Sequence, residues 1–321
     1  MNNQLRMNHS ATRQRCRGFT IVELMVALII SLILLAGVMQ IYLSGKQSFD
    51  IQDTLSRLQE NGRFATEAIA VDLRRAGYWG GNAQVEAIAG SLGSVNPDGS
   101  CPSANNNWGR MIERRIFGLN DTNGGYACIP GGDSVRGDIL TVRYVSPQET
   151  APADMDSNRP YLRSSLFSGR LFNGTDEASN LLNNPPAPSE RTSELVAHAY
   201  YIGPSNQQCG GAAVPSLYRE RLANNGRPVA EEVAYGVDNL QVQYGVDTND
   251  DNSVDNYVDA GAVADWAQVM AARVWILVRA ECPEGGYTNT NTYTMAGVNY
   301  VVNDGFRRQL YTTTVNLRNR I

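Results

Sequence analysis

Arg17-Gly18-Phe19-Thr20-Ile21-Val22-Glu23 is the stretch that decides how the rest of the chain reads. The leader before it, residues 1–18, carries Arg6, Arg13, Arg15 and Arg17 and no acid. After it, no residue from Leu24 to Gly45 is charged. That run is long enough for a helix to cross a hydrocarbon core of about 30 Å. An ordinary secretory signal is cut at small residues beyond its apolar core. A cut between Gly18 and Phe19 would instead leave the core on the mature chain. Glu23, the fifth residue after that junction, is a lone carboxylate at the head of the run. A charge at that depth is costly unless it is paired, which makes Glu23 a candidate functional residue.

This arrangement resembles the prepilin signature of type IV pilins and type II secretion pseudopilins. The resemblance implies cleavage by a prepilin peptidase after Gly18 and methylation of Phe19 as the new N-terminus. It also implies that Glu23 pairs with the terminal ammonium of a neighbouring subunit during assembly. Two opposite charges attract strongly in a low dielectric, and the pair removes an isolated buried anion.

The 321-residue chain has a formal net charge of −5, which becomes −9 without the leader. Such an acidic exported chain lacks the clustered Lys and Arg of a nucleic-acid binder. The basic leader fits the cytoplasmic side of a membrane, and the resemblance implies the inner membrane of a Gram-negative bacterium, with the head in the periplasm. Cys16 leaves with the leader. Cys101, Cys128, Cys209 and Cys282 remain, an even count that reads as two disulfides in an oxidising compartment. Three connectivities are open. Proximity in sequence favours Cys101–Cys128, which leaves Cys209–Cys282.

Beyond Lys46 the apolar pattern becomes one-sided. Ile51, Leu55, Leu58, Ala65, Ile69, Leu73 and Ala76 recur near a helical period, with Gly62 on the same stripe. Arg74 and Arg75 suit the negative end of a helix dipole, and Gly77 suits its C-terminal cap. No proline lies between Phe19 and Ala76. The expectation is one long helix over 19–76, with about 19–45 as membrane anchor and filament core. Gly37, Gly45 and Asn61-Gly62 are its weakest points.

Residues 77–321 read as a head of short strands. Candidate strands are Asp138–Val145, Glu194–Ile202, Ser216–Leu222, Val237–Val246, Val274–Val278 and Phe306–Leu317. A Gly/Pro/Cys turn region is expected between the second and third. Ser91–Asn107, Ser146–Pro160 and Leu181–Glu190 read as loops. A helix followed by many strands predicts an α+β fold, type IV pilin-like, with the long helix packed on a largely antiparallel sheet.

Two further runs narrow the resemblance. Glu60 to Tyr78 is similar to the helix end of the larger minor pilins of the PilW type and of the J-type minor pseudopilin. Thr312 to Asn319 is similar to the PilW-type C-terminus. The resemblance implies a minor pilin that primes type IV pilus assembly and sits at or near the tip, supporting twitching motility or DNA uptake. Its partners would be the prepilin peptidase, other minor pilins, the major pilin and a pilus-tip adhesin. The alternatives are a J-type pseudopilin capping a secretion pseudopilus and a calcium-dependent adhesin displayed on a pilus.

One constellation resembles a ligand set. Asp247, Asn249, Asp251 and Asp255 have the first, third, fifth and ninth spacing of a calcium loop, and Ser253 at the seventh would give its carbonyl. Calcium takes about six to eight oxygens from such loops. Asn252 replaces the turn glycine of an EF-hand. Val258 replaces its bidentate Glu, leaving Asp259 one place late. A solvated loop of Asx turns is the competing reading. Enzymatic readings have less support. Without the leader only His198 remains as a histidine, and no paired Cys/His spacing points to zinc. No catalytic residue is expected.

Overall fold

A computed structural model describes residues 18–82, 84–91, 107–122, 126, 128–129, 136–174 and 189–319. The chain divides into two compact units, residues 1–53 and 54–321. A single helix, α1 (Ile21–Arg75), runs through Gly37, Gly45 and Gly62 without a break. In the first unit its bulky apolar side chains from Ile21 to Leu43 are each at least half exposed. The surface is apolar all round, and the helix is long and apolar enough to cross a membrane.

In the second unit α1 becomes one-sided. Leu58, Gly62, Ala65, Ile69, Ala70, Asp72 and Leu73 are buried, whereas Leu55, expected on the stripe, is exposed. Burying a Leu or Ile side chain contributes about 1.5–3 kcal/mol, so Leu58, Ile69 and Leu73 anchor this half of the helix. Its end is closed from three directions. Arg74 and Arg75 occupy the last turn, Gly77 takes a left-handed φ of 74°, and Asn319 Nδ2 donates to the Ala76 carbonyl at 3.2 Å. The C-terminal segment thereby caps the helix that opened the chain.

The strands are β1 (Ile88–Ala89), β2 (Ile116–Leu119), β3 (Ile139–Glu149), β4 (Pro160–Ser164), β5 (Gly169–Asn173), β6 (Arg191–Cys209) and β7 (Ala212–Leu222). They continue as β8 (Pro228–Tyr235), β9 (Val237–Val246), β10 (Asn256–Asp259), β11 (Val269–Arg279), β12 (Thr292–Met295), β13 (Val298–Val301) and β14 (Arg308–Asn316). One sheet runs β1-β5-β4-β6-β3-β2, with β7 and β8 added beyond β6. A second runs β10-β9-β11-β14, and β12 pairs β13 separately. Among the described residues only β1–β5 is a parallel pair, so the fold is α+β with a long helix against antiparallel-rich sheets.

The six predicted strands all form, and most run longer than expected. β3 continues to Glu149 into the expected 146–160 loop. The Gly/Pro/Cys region is mostly strand: Pro204 and Cys209 lie in β6, a register shift between Pro204 and Gln208 absorbs the irregularity, and only Gly210-Gly211 turns. β4, β5 and β8 form where no strand was expected. The predicted Ser91–Asn107 and Leu181–Glu190 loops fall largely outside the described residues.

Both faces of β3 are buried, and all its residues from Ile139 to Val145 are inside. Asp138, just before it, joins the two sheets. Its carboxylate accepts the Val242 N–H of β9 at 2.7 Å and the Asp121 N–H at 3.0 Å. Burial nevertheless pushes that carboxyl up to about 7.

Candidate functional site: the helix start and the head loops

Thr20 and Glu23 close the N-terminus of α1 reciprocally. The Glu23 N–H donates to Thr20 Oγ1 at 3.2 Å, and Glu23 Oε2 accepts the Thr20 N–H at 3.0 Å. The Thr20 hydroxyl also donates to Glu23 Oε2 at 3.0 Å. This is a capping box, which satisfies two donors that every helix start otherwise leaves open. The sequence reading treated Glu23 only as a charge awaiting a partner. The Thr-x-x-Glu spacing was legible there and shows a second task, placing the carboxylate beside the first turn. Gly18 and Phe19 precede the helix and are exposed, with Phe19 at 87%.

The acidic loop lies between β9 and β10. Asp247 is buried, and its two carboxylate oxygens accept the Asp251 N–H at 3.2 Å and the Asn252 N–H at 2.8 Å. Asn249 Oδ1 accepts the Asp251 N–H at 2.9 Å. Asp251 Oδ1 accepts the Ser253 hydroxyl and N–H at 2.6 and 2.8 Å, which holds its carboxyl below the usual range. Asp255 Oδ2 accepts from Thr248 N–H and hydroxyl. Asp250 and Asn252 take positive φ, as the expected turn at Asn252 requires. Asp259 ends β10 and accepts from Gln243 at 3.1 Å, apart from this loop network. Among the described residues no three His, Cys, Asp or Glu side chains gather closely enough to hold a metal ion.

Cys209, at the end of β6, is joined to Cys282, beyond β11, by a disulfide. Cys128 is also disulfide-bonded, and Cys101 lies outside the described residues.

His198, on β6, has partners that spacing could not reveal. Its Nδ1 lies 2.5 Å from Asp72 Oδ2 on α1, and Tyr200 and Tyr144 donate to the same carboxylate at 2.6 and 2.7 Å. Burial raises the Asp72 pKa, but the His198 hydrogen bond and charge and the two tyrosine hydroxyls outweigh it and hold the carboxyl below its ordinary value. The tyrosines are pushed up, by burial first and by Asp72 second. The cluster therefore ties the helix to β3 and β6. Its sequence signal, one acid inside an apolar stripe, was present at Asp72.

Residues 199–319 match the family described as Type IV Pilus-assembly protein W, and residues 13–39 match the Prokaryotic N-terminal methylation motif. The first description concerns pilus assembly and the second N-terminal methylation. Among solved structures, a type IV-like pilin from Thermus thermophilus is similar at 12% identity and a TM-score of 0.38, covering 82% of this chain and 97% of that chain. No curated protein matches.

Proposed function

We propose that the chain is a minor pilin of the PilW type, the family its residues 199–319 match, that primes the filament and sits at or near its tip. One observation carries the reading. The helix begins with a capped glutamate and an all-round apolar surface, then continues into a head that buries only its second half. A surface of that kind is stable in lipid and, after extraction, against the same helices of other subunits.

On this reading the prepilin peptidase cuts after Gly18, Phe19 is methylated, and Glu23 pairs with a neighbour's terminal ammonium. The chain starts in the inner membrane with its head in the periplasm and ends at the pilus tip, beside other minor pilins and the major pilin. It acts as a structural subunit rather than as an enzyme. The PilW match favours a pilus over a secretion pseudopilus. Calcium binding by the 247–259 loop is a separate proposal that rests on the alternate spacing of Asp247, Asn249, Asp251 and Asp255 in the sequence.

Deleting the gene and counting pili by electron microscopy tests the priming role. Pili become scarce and return with the restored chain, and immunogold label on the head marks filament ends. Normal piliation in the deletion strain, or label spread along the shaft, refutes it.

A further inference from the structure

Lys46 is the only lysine in the chain, and it is the first charge after the uncharged run from Leu24 to Gly45. Those 22 residues rise about 33 Å as a helix, close to the thickness of about 30 Å of a hydrocarbon core. With the run inside the core, Lys46 emerges in the headgroup layer beyond it. Among the described residues no hydrogen bond or ion pair holds its ammonium.

Tyr42, Lys46, Phe49 and Asp50 follow the spacing i, i+4, i+7 and i+8, so α1 carries them on one face. Tyr42 and Phe49 are 66% and 67% exposed, and Lys46 and Asp50 are exposed beside them. Ser44, Gly45, Gln47 and Ser48, on the other sides of the helix at this level, carry no charge. Aromatic rings with a cation between them suit a core boundary. The rings lie along the acyl chains, and the ammonium reaches out to the polar layer. The order of charge on this face is specific. Lys46 comes first out of the core, and Asp50 follows one turn, about 6 Å, farther out.

We propose that this face binds the headgroup of a phospholipid that carries a primary ammonium, with its phosphate on Lys46 and its ammonium on Asp50. In such a headgroup the phosphate adjoins the glycerol and the ammonium is the free end, so its charges run opposite to those of the helix at each level. Asp50 already has a partner within the chain, but a carboxylate offers about four lone-pair sites and takes the ammonium as well. An anionic headgroup without an amine leaves Asp50 facing like charge, and a choline headgroup offers it no N–H. Beside a low-dielectric core each of these pairs is stronger than in open water. The bound lipid fixes the depth and rotation of the anchor. That α1 crosses a bilayer rests on the proposed function.

The single lysine makes the test direct. The full-length chain grown on nitrogen-labelled lysine carries one labelled side-chain ammonium, and in phosphate-free buffer the only phosphorus is lipid. Nitrogen–phosphorus dephasing by solid-state NMR then reports a phosphate in contact with Lys46. In vesicles of phosphatidylethanolamine and phosphatidylcholine the ammonium signal should be strongly attenuated. It should recover most of its intensity in phosphatidylcholine alone, in phosphatidylcholine with phosphatidylglycerol, and in Asp50→Asn in the first vesicles. Lys46→Arg removes the signal and so assigns it.

Equal attenuation in all three vesicles, or attenuation unchanged in Asp50→Asn, overturns the proposal, because any phosphate then serves. No attenuation in a chain whose anchor is protected from protease overturns it and leaves the minor-pilin reading standing. A chain that does not insert removes the membrane anchor, and that reading and this proposal fall together.

Discussion

The ring of Tyr311 on β14 lies against Gly62 on α1 so closely that a Cβ at position 62 would overlap it, and the Tyr311 hydroxyl donates to the Leu58 carbonyl at 3.3 Å. A glycine in mid-helix ordinarily costs about 1 kcal/mol against alanine. Here it lets the helix approach the edge strand. Gly62→Ala is therefore expected to destabilise the head by about 1–3 kcal/mol, the usual cost of overpacking. Adding Tyr311→Ala should reverse the sign of the Gly62→Ala effect, a coupling readable from melting temperatures of the four proteins in detergent. Additive effects would show that the close approach is not what requires the glycine.

Asp72 predicts an acid-sensitive junction. Its folded pKa lies below the ordinary value, so its stabilisation is complete above an unfolded pKa of about 3.9 and is lost as pH falls through the folded value. Stability of the parent should drop below about pH 4 more steeply than that of Asp72→Asn. Asp72→Ala leaves two tyrosine hydroxyls and His198 without their acceptor and should cost about 3 kcal/mol or more at neutral pH. Parallel pH profiles for the parent and Asp72→Asn would remove Asp72 as the source.

Cys209 and Cys282 are 73 residues apart in sequence, and closing so long a loop restricts the unfolded chain considerably. Replacing both with serine should lower stability by about 4 kcal/mol by the chain-entropy estimate. Denaturant midpoints of the oxidised parent and the double serine variant provide the comparison. A double variant as stable as the oxidised parent would show that the bridge contributes little.

Asp247 satisfies two N–H groups in a turn whose Asp250 and Asn252 have positive φ, so Asp247→Ala should cost about 1–3 kcal/mol without any metal. The calcium proposal adds a separate expectation. At a hundredfold excess over Kd, calcium should stabilise the parent by about 2.7 kcal/mol, magnesium should do much less, and Asp247→Ala should lose the effect. A flat titration removes calcium and leaves the turn chemistry intact.

How far the sequence speaks follows from the range of each interaction. The long helix, its cap at Gly77 and the strands β3, β9 and β11 depend on local periodicity and were readable in outline. β4 and β5 were not, because each has five residues and their hairpin turn, Ser165 to Ser168, lacks the Asn-Gly or Asp-Gly signal that marks tight hairpins. Leu55 met the helical period but is exposed, because periodicity does not say where the head begins to cover the helix. At the helix start, Gly18, Phe19 and Glu23 stood out as a contiguous motif, and the capping role of Thr20 was missed only because Glu23 was read as a charge alone. Asp72 and His198 are 126 residues apart, so only the fold brings them together.

Glu23→Ala removes the acceptor for the Thr20 N–H as well as the charge, and should fray the first turn of the helix. Cleavage lies upstream of Glu23 and should continue, while incorporation into pili should fall. Glu23→Gln keeps a capping acceptor without the charge. A defect shared by Glu23→Gln and Glu23→Ala assigns the loss to charge pairing. Normal incorporation of Glu23→Gln with a defect only in Glu23→Ala assigns it to the cap.

The N-terminus of the chain recovered from purified pili tests the central claim most directly. Intact-mass and terminal-peptide analysis should show a chain that begins at methylated Phe19, with residues 1–18 absent. A pilus-derived chain that retains the leader, begins at another residue or carries an unmodified Phe19 would contradict the account.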